Sequence, residues 1–231
     1  MIELQELHFA YADGGFGLQI EHLSIAEAQR VCWFGPSGSG KTTLLHLVAG
    51  IFPPQSGCVK TCGVDLTALQ DAARRDFRIA NVGLVFQDFA LLDYLNVLDN
   101  ILLPYRISGA LRLDSSVRSR AQQLATAVGL GDMLFRRPTQ LSQGERQRIA
   151  VCRAIIANPK LLLADEPTAN LDPANATLVL DALEGYATEH GATLVVVSHD
   201  RDVLARFGST TDVSSFCAQS QPEPIGGGEN A

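Results

Sequence analysis

The chain has 231 residues, enough for one domain with a sizeable core, and its 46% hydrophobic and 19% charged residues are an ordinary soluble composition. A formal net charge of −7 argues against unassisted binding to nucleic acid or anionic lipid. No apolar run reaches bilayer length, and the start "MIELQELHFAY" alternates like a strand without the segments of a signal peptide, so a cytoplasmic protein is expected.

In chain order, residues 2 to 11, 17 to 25 and 29 to 34 read as short strands between Gly-rich and acidic turns. The run "RVCWF" enters a Gly-rich turn at 35 to 40, and a helix follows over 41 to 49, stopped by Gly50 and Pro53-Pro54. Residues 57 to 64 read as a hairpin, which makes Cys58 and Cys62 strand cysteines. No second Cys/His pair at metal-ligand spacing accompanies them, and five cysteines, an odd count, fit reduced thiols. "NVGLVFQ", 81 to 87, is an apolar strand, and helical spacing covers 115 to 129 and 143 to 157. "LLLAD", 161 to 165, and "TLVVVS", 193 to 198, are buried strands, with a helix from Pro173 between them. Alternating apolar strands and helices imply a mainly parallel sheet with helices on both faces, and antiparallel pieces near the N-terminus make a small attached sheet. The tail "QSQPEPIGGGENA" is expected to be disordered.

"GPSGSGKTT" fits G-x-x-x-x-G-K-[ST] between a predicted strand and a predicted helix. Gly35, Pro36, Ser37, Gly38, Ser39, Gly40, Lys41, Thr42 and Thr43 would form a phosphate cradle, with backbone N–H groups converging on the oxygens and the helix N-terminus behind them. Lys41 would reach the β- and γ-phosphates, and the Thr42 hydroxyl would meet Mg²⁺. The bland alternative is a Gly/Ser turn with a chance lysine, which residue frequencies produce on the order of once in a hundred chains of this length.

Asp165 ends a buried strand, where a carboxylate can hold Mg²⁺ opposite Thr42, and Glu166 beside it can polarise an attacking water. Without the cradle, both would read as solvated acids at a strand end. His199 ends the next buried strand, and parallel strands bring their C-terminal ends to one edge, so it can orient that water with Glu166. Gln87 ends a strand as well, and its neutral amide can touch Mg²⁺ or the water; otherwise it is an edge glutamine.

Together these pieces resemble the nucleotide-binding subunit of ABC transporters, over residues 2 to 205. Residues 35 to 42 look like the Walker A motif, Gln87 the Q-loop, "LSQGE" at 141 to 145 the signature, "LLLADE" Walker B, "NLD" at 170 to 172 the D-loop and His199 the H-loop. Tyr11 falls where the family stacks an aromatic ring on adenine. "VGLVFQDFALLDYLNVLDNILLP" and the glutamate closing "LSQGE" look most like the group that serves FtsX-type permeases, including lipoprotein-release and macrolide-efflux ATPases.

The resemblance implies an α/β fold: a P-loop NTPase core with a mainly parallel sheet, an attached antiparallel β sub-domain and an α-helical sub-domain over about 88 to 157. It places one ATPase domain at 1 to 216 and a flexible tail at 217 to 231. It also implies ATP and Mg²⁺ as cofactors, a homodimer sandwiching two ATP molecules, and a separate membrane permease docked from the inner face of the cell membrane. The apolar stretch 89 to 103 is the candidate docking surface, or else the core of the helical sub-domain.

Two departures stand out. Glu27-Ala28-Gln29-Arg30 lacks the family's turn glycine, so a different turn is expected, and "STTDVSSF" has no assignment. In the signature, Ser142 and Glu145 fit a capping box, whose helix N-terminus is itself an anion site. Ser142 would lend its hydroxyl, and Gly144 would keep the backbone bare, for the ATP of a second subunit, with Gln143 the one position out of pattern. ATP hydrolysis driving a permease is the leading function. The alternative is an ATP-dependent regulatory switch of an envelope complex. A soluble DNA-repair or translation ATPase would carry coiled coils, zinc modules or tandem halves, and none is visible.

Overall fold

Two apolar patterns build two sheets. In the computed structural model, which describes residues 1–12 and 15–217, strands β1 (Ile2–Ala10) and β2 (Gly17–Ile25) pair antiparallel, and β4 (Ser56–Thr61) and β5 (Val64–Asp65) extend them in the order β2-β1-β4-β5. Along β1 the buried side chains switch from Ile2 and Leu4 to Leu7 and Phe9. The switch occurs across Glu6, where φ is 47° and the register with β4 shifts by a bulge. Cys62 lies in the turn between β4 and β5 with φ at 50°, so of the two expected strand cysteines only Cys58 is one.

The second sheet is all parallel, in the order β6-β7-β8-β3-β9. Its strands are β3 (Arg30–Phe34), β6 (Val82–Val85), β7 (Leu161–Asp165), β8 (Thr193–Val197) and β9 (Thr210–Asp212). Because strand side chains alternate, odd positions of the central strands (Val31, Trp33, Leu161, Leu163, Val195, Val197) join one core with helix α1 (Lys41–Val48) and the antiparallel sheet. Even positions (Cys32, Leu162, Ala164, Leu194, Val196) join a second core. That core is covered by α6 (Gln143–Ile155), α7 (Pro173–His190) and α8 (Arg201–Ala205). Burial on both faces explains the unbroken apolar runs of β7 and β8.

A third core is all helical. It joins Val97, Ile101 and Leu102 to α5 (Ser115–Ala127) and to Ile149, Cys152 and Ile156 on and beside α6. The stretch 89 to 103, expected as a docking face, is therefore largely core: α3 (Val97–Ile101) buries its apolar side, while Tyr94 stays 72% exposed. Helices α2 (Asp71–Asn81) and α4 (Leu103–Ile107) were not expected, since neither buries a residue fully. The unassigned "STTDVSSF" supplies β9, whose Cα partners are Cys32, Trp33 and Phe34, and a 3-10 turn at Val213–Phe216. At the turn before β3, Ala28 takes φ 57°, so a left-handed residue stands there without a glycine. The expected flexible tail lies outside the described residues except Cys217. Among the described residues, no helix is long and apolar enough to cross a membrane.

The helical core depends on a buried polar side chain. Asn100 accepts from Leu92 N (2.9 Å) and donates to the carbonyls of Leu92 (3.1 Å), Leu95 (3.2 Å) and Asn96 (3.0 Å). It thereby folds the loop between Gln87 and α3 onto itself. Asn100→Ala orphans these groups and is expected to cost about 3 kcal/mol, read as a lower urea midpoint with unchanged slope.

Candidate active site

Parallel strands end together, so the C-terminal edge of the second sheet opens on one cavity of about 670 Å³. Its walls bring together Tyr11, Gly35, Pro36, Ser37, Gly38, Gly40, Lys41, Thr42, Thr43, Gln87, Asp165, Glu166 and His199, all chosen from the sequence, and add Phe16, which was not. Ser39 lies under the loop, 4% exposed, with no hydrogen bond to its Oγ. Ser142 and Gly144 are not on this wall; they stand at the start of α6.

The loop from β3 to α1 has no side-chain cap at the helix N-terminus. Its cap is Gly40, at φ 84°, and a Cβ there would sit 2.3 Å from Phe16 Cζ. Both the backbone angle and the close aromatic ring require glycine. The helix start is therefore left with N–H groups and a positive dipole end facing the cavity. Lys41 Nζ arches back over the loop and donates to the carbonyls of Gly35 (2.8 Å) and Pro36 (2.9 Å). This holds an ammonium beside the loop and the uncapped helix start, a pairing that suits a polyphosphate.

Thr42 Oγ1 donates to Asp165 Oδ2 at 2.7 Å, joining positions 123 residues apart. Burial pushes the Asp165 carboxyl above the ordinary aspartate range; the Thr42 bond opposes this and the Glu166 charge adds to it. A hydroxyl and a buried carboxylate in contact are hard oxygen donors, which fit Mg²⁺ and suit no soft metal. Glu166 extends the ladder by one bond, its N–H donating to Val197 O at 2.9 Å, and then turns at φ 46°. Its Oε1 lies 2.7 Å from His199 Nδ1. Gln87 does not end β6 as expected, because that strand stops at Val85. It sits instead in a turn closed by Phe89 N donating to Phe86 O at 3.1 Å.

At the cavity mouth the Tyr11 hydroxyl is 3.0 Å from Thr43 Oγ1. The ring stands edge-on to Phe9 and Phe52, at centroid distances of 5.1 and 5.9 Å. The residue is 37% exposed, leaving room for a planar ligand to stack. Phe16 lies 6.3 Å from the Tyr11 ring and forms a second aromatic wall. Its signal in the sequence was an aromatic beside the glycines that follow Tyr11.

On α6 the capping box is complete. Ser142 Oγ accepts from Glu145 N (3.3 Å) and donates to Glu145 Oε2 (2.9 Å), which also accepts from Ser142 N (2.7 Å). The Ser142 N–H bond pulls the Glu145 carboxyl below its ordinary value. Gly144 is bare for a reason internal to the chain: a Cβ would meet Asn175 of α7 at 2.6 Å. Asn175 also bonds Arg148 and Asp172, so the starts of α6 and α7 are stitched together.

An ABC transporter family model matches residues 18–169. The lipoprotein-releasing system ATP-binding protein LolD of Geobacter metallireducens is 38% identical over 213 residues, 91% of this chain and 94% of that protein. The macrolide export ATP-binding/permease protein MacB of Rhodopirellula baltica is 41% identical over 206 residues, 88% of this chain but only 30% of that protein. Among solved structures, the ATP-binding cassette MJ0796, as a dimer in a post-hydrolysis state bound to ADP and Pi, superposes with a TM-score of 0.83. Its identity is 31%, covering 96% of this chain and all of that one.

Asp165 carries a sign that can be checked. Its raised carboxyl binds a proton more readily folded than unfolded, so the stability of the ligand-free chain falls as pH rises from the unfolded value through the folded one. Asp165→Asn removes that cost. The variant is expected to melt higher than the native chain at neutral pH in calorimetry, with the gap narrowing as pH falls toward the ordinary aspartate range.

Proposed function

The chain belongs to the ABC transporter family, and from that premise we propose that it is the ATP-binding and ATP-hydrolysing subunit of a transporter, coupled to a separate membrane permease of FtsX type. The observation that carries this reading is the meeting, in one cavity, of the Lys41 cradle, the Thr42–Asp165 contact and the Glu166–His199 pair. A nucleotide-binding module without hydrolysis would need only the first.

In this reading the adenine stacks on Tyr11 and the phosphates lie along the N–H groups of 35 to 43. Lys41 exchanges its two loop carbonyls for β- and γ-phosphate oxygens, so the ammonium is held in place before the ligand arrives. Mg²⁺, bound by Thr42 and Asp165 with Gln87 alongside, would neutralise charge on the transferring phosphoryl group. Glu166, only 12% exposed at the side chain, accepts the proton of the attacking water. His199, hydrogen-bonded to it, orients that carboxylate and offers its other ring nitrogen to the γ-phosphate.

The signature completes the site of a second copy. The N-terminus of α6 is capped internally by Ser142 and Glu145, so its first turn is ordered while its positive dipole end is free to face an anion. Gln143 is exposed, and its side chain has room to point away from a partner's nucleotide. Two copies related by a two-fold axis would then close two ATP molecules between cradle and signature, which the dimeric MJ0796 cassette supports by analogy. The permease would bind this assembly at the inner face of the membrane, through the exposed Tyr94 and a groove of about 250 Å³ beside α4.

Two substitutions test the chemistry. Glu166→Gln is expected to keep ATP bound, accumulate as a dimer on gel filtration and lose about a hundredfold or more in turnover. A Gln variant with native turnover removes Glu166 from the role of base. Lys41→Ala is expected to weaken ATP at least about tenfold in titration calorimetry; undiminished affinity contradicts the cradle.

A further inference from the structure

Arg153, in the last turn of α6, is 9% exposed, yet it ion-pairs with no residue among those described. Burial pushes its guanidinium down to about 10, opposed only by the charge of Asp88. Its two terminal nitrogens donate to backbone carbonyls, Nη2 to Phe89 (2.6 Å) and Nη1 to Ala90 (2.5 Å). Both acceptor residues are left-handed, with φ of 63° and 46°, a conformation disfavoured for any residue with a Cβ.

These are the residues that close the turn of Gln87, through Phe89 N donating to Phe86 O. Gln87, Asp88 and Ala90 are exposed and Phe89 is half-buried, so this is a turn at the surface. Among the described residues, the buried cation is hydrogen-bonded there only to the Phe89 and Ala90 carbonyls. Its desolvation goes into fixing the shape of an exposed turn. The same α6 carries Ser142 at its other end, and it is tied to the Asp165–Glu166 strand by Gln147 Nε2 donating to Pro167 O at 2.7 Å.

We propose that Arg153 is a positioning residue for Gln87: its bidentate grip fastens the Gln87 turn to α6, so that the turn and the signature move as one piece. The clamp rests on the reading of Gln87 as a site residue. An ammonium can reach two carbonyls, as Lys41 does, but it lacks the rigid planar fork that fixes their orientation, so lysine should not replace arginine fully.

Steady-state ATP hydrolysis and binding of a fluorescent ATP analogue are measured on the full chain for Arg153→Lys, Gln87→Ala and the double variant. Arg153→Lys is expected to lose about tenfold in kcat with analogue affinity held within about twofold. The double variant should be no slower than the slower single, because both act through one amide. Arg153→Gln serves as a second variant if the lysine form melts early in calorimetry. Losses that multiply in the double variant overturn the clamp alone, as does an equal loss of affinity and turnover. An unaffected Gln87→Ala overturns the assignment of Gln87 and the clamp with it.

Discussion

The site depends on the parallel ladder of β7, β8 and β3. Val197 is paired with Asp165 on one side and Trp33 on the other, so three chain segments far apart in sequence finish at one level. The phosphate loop leaves from β3, the Asp165–Glu166 pair from β7 and His199 from β8 within two residues of that level. A one-residue slip would exchange the two faces of a strand and turn Asp165 away from Thr42. Such a slip would also move Leu161 and Leu163 out of the first core and Leu162 and Ala164 out of the second. The two apolar cores thus enforce the register on which the 2.7 Å Thr42–Asp165 contact relies.

In the proposed dimer the signature helix would be a structural device and a binding device at once. The box formed by Ser142 and Glu145 satisfies a helix start, as in many proteins. Here that start is also held rigidly from below by Asn175, packed where a Cβ of Gly144 would go. Rigidity matters because a dipole end and its N–H groups favour an anion only if they need not reorganise to meet it. Glutamate at the fifth position has a consequence of its own. Its carboxylate accepts the hydrogen bond of the Ser142 hydroxyl, so in the proposed dimer that hydroxyl would have to turn from Glu145 to donate to a phosphate.

What could be read from residues alone followed from strong local physics. The β7 and β8 runs and the helix starts at Pro173 and Gln143 depend on apolar runs and caps, and all fell within a residue or two. Helix α2 escaped although its few apolar residues fall at helical spacing: "DAARRDFRIAN" is mostly polar, and Phe77 packs against the first core only partly buried. Strand β9 escaped because three polar edge residues pair with β3 on one side only. Phe16 and Asn175 act through distances under 3 Å to the Cβ positions of Gly40 and Gly144, a relation no spacing in the chain expresses.

Among the described residues, half of the left-handed backbone outside glycine lies where these parts must be aimed; Glu6, Ala28, Cys62 and Asn158 are elsewhere. Phe89, Ala90, Glu166 and Asn170 are all left-handed without being glycine, and all lie in the loops around the cavity or beside α7. Each costs on the order of 1–2 kcal/mol against ordinary backbone. Tertiary contacts hold them: Arg153 grips Phe89 and Ala90, and the Val197 carbonyl anchors the N–H of Glu166. A glycine at Glu166 would relieve the strain but remove the carboxylate that faces His199. The left-handed turn at Glu166 is therefore the cost of bringing a carboxylate from the end of a buried strand to the imidazole of the neighbouring one.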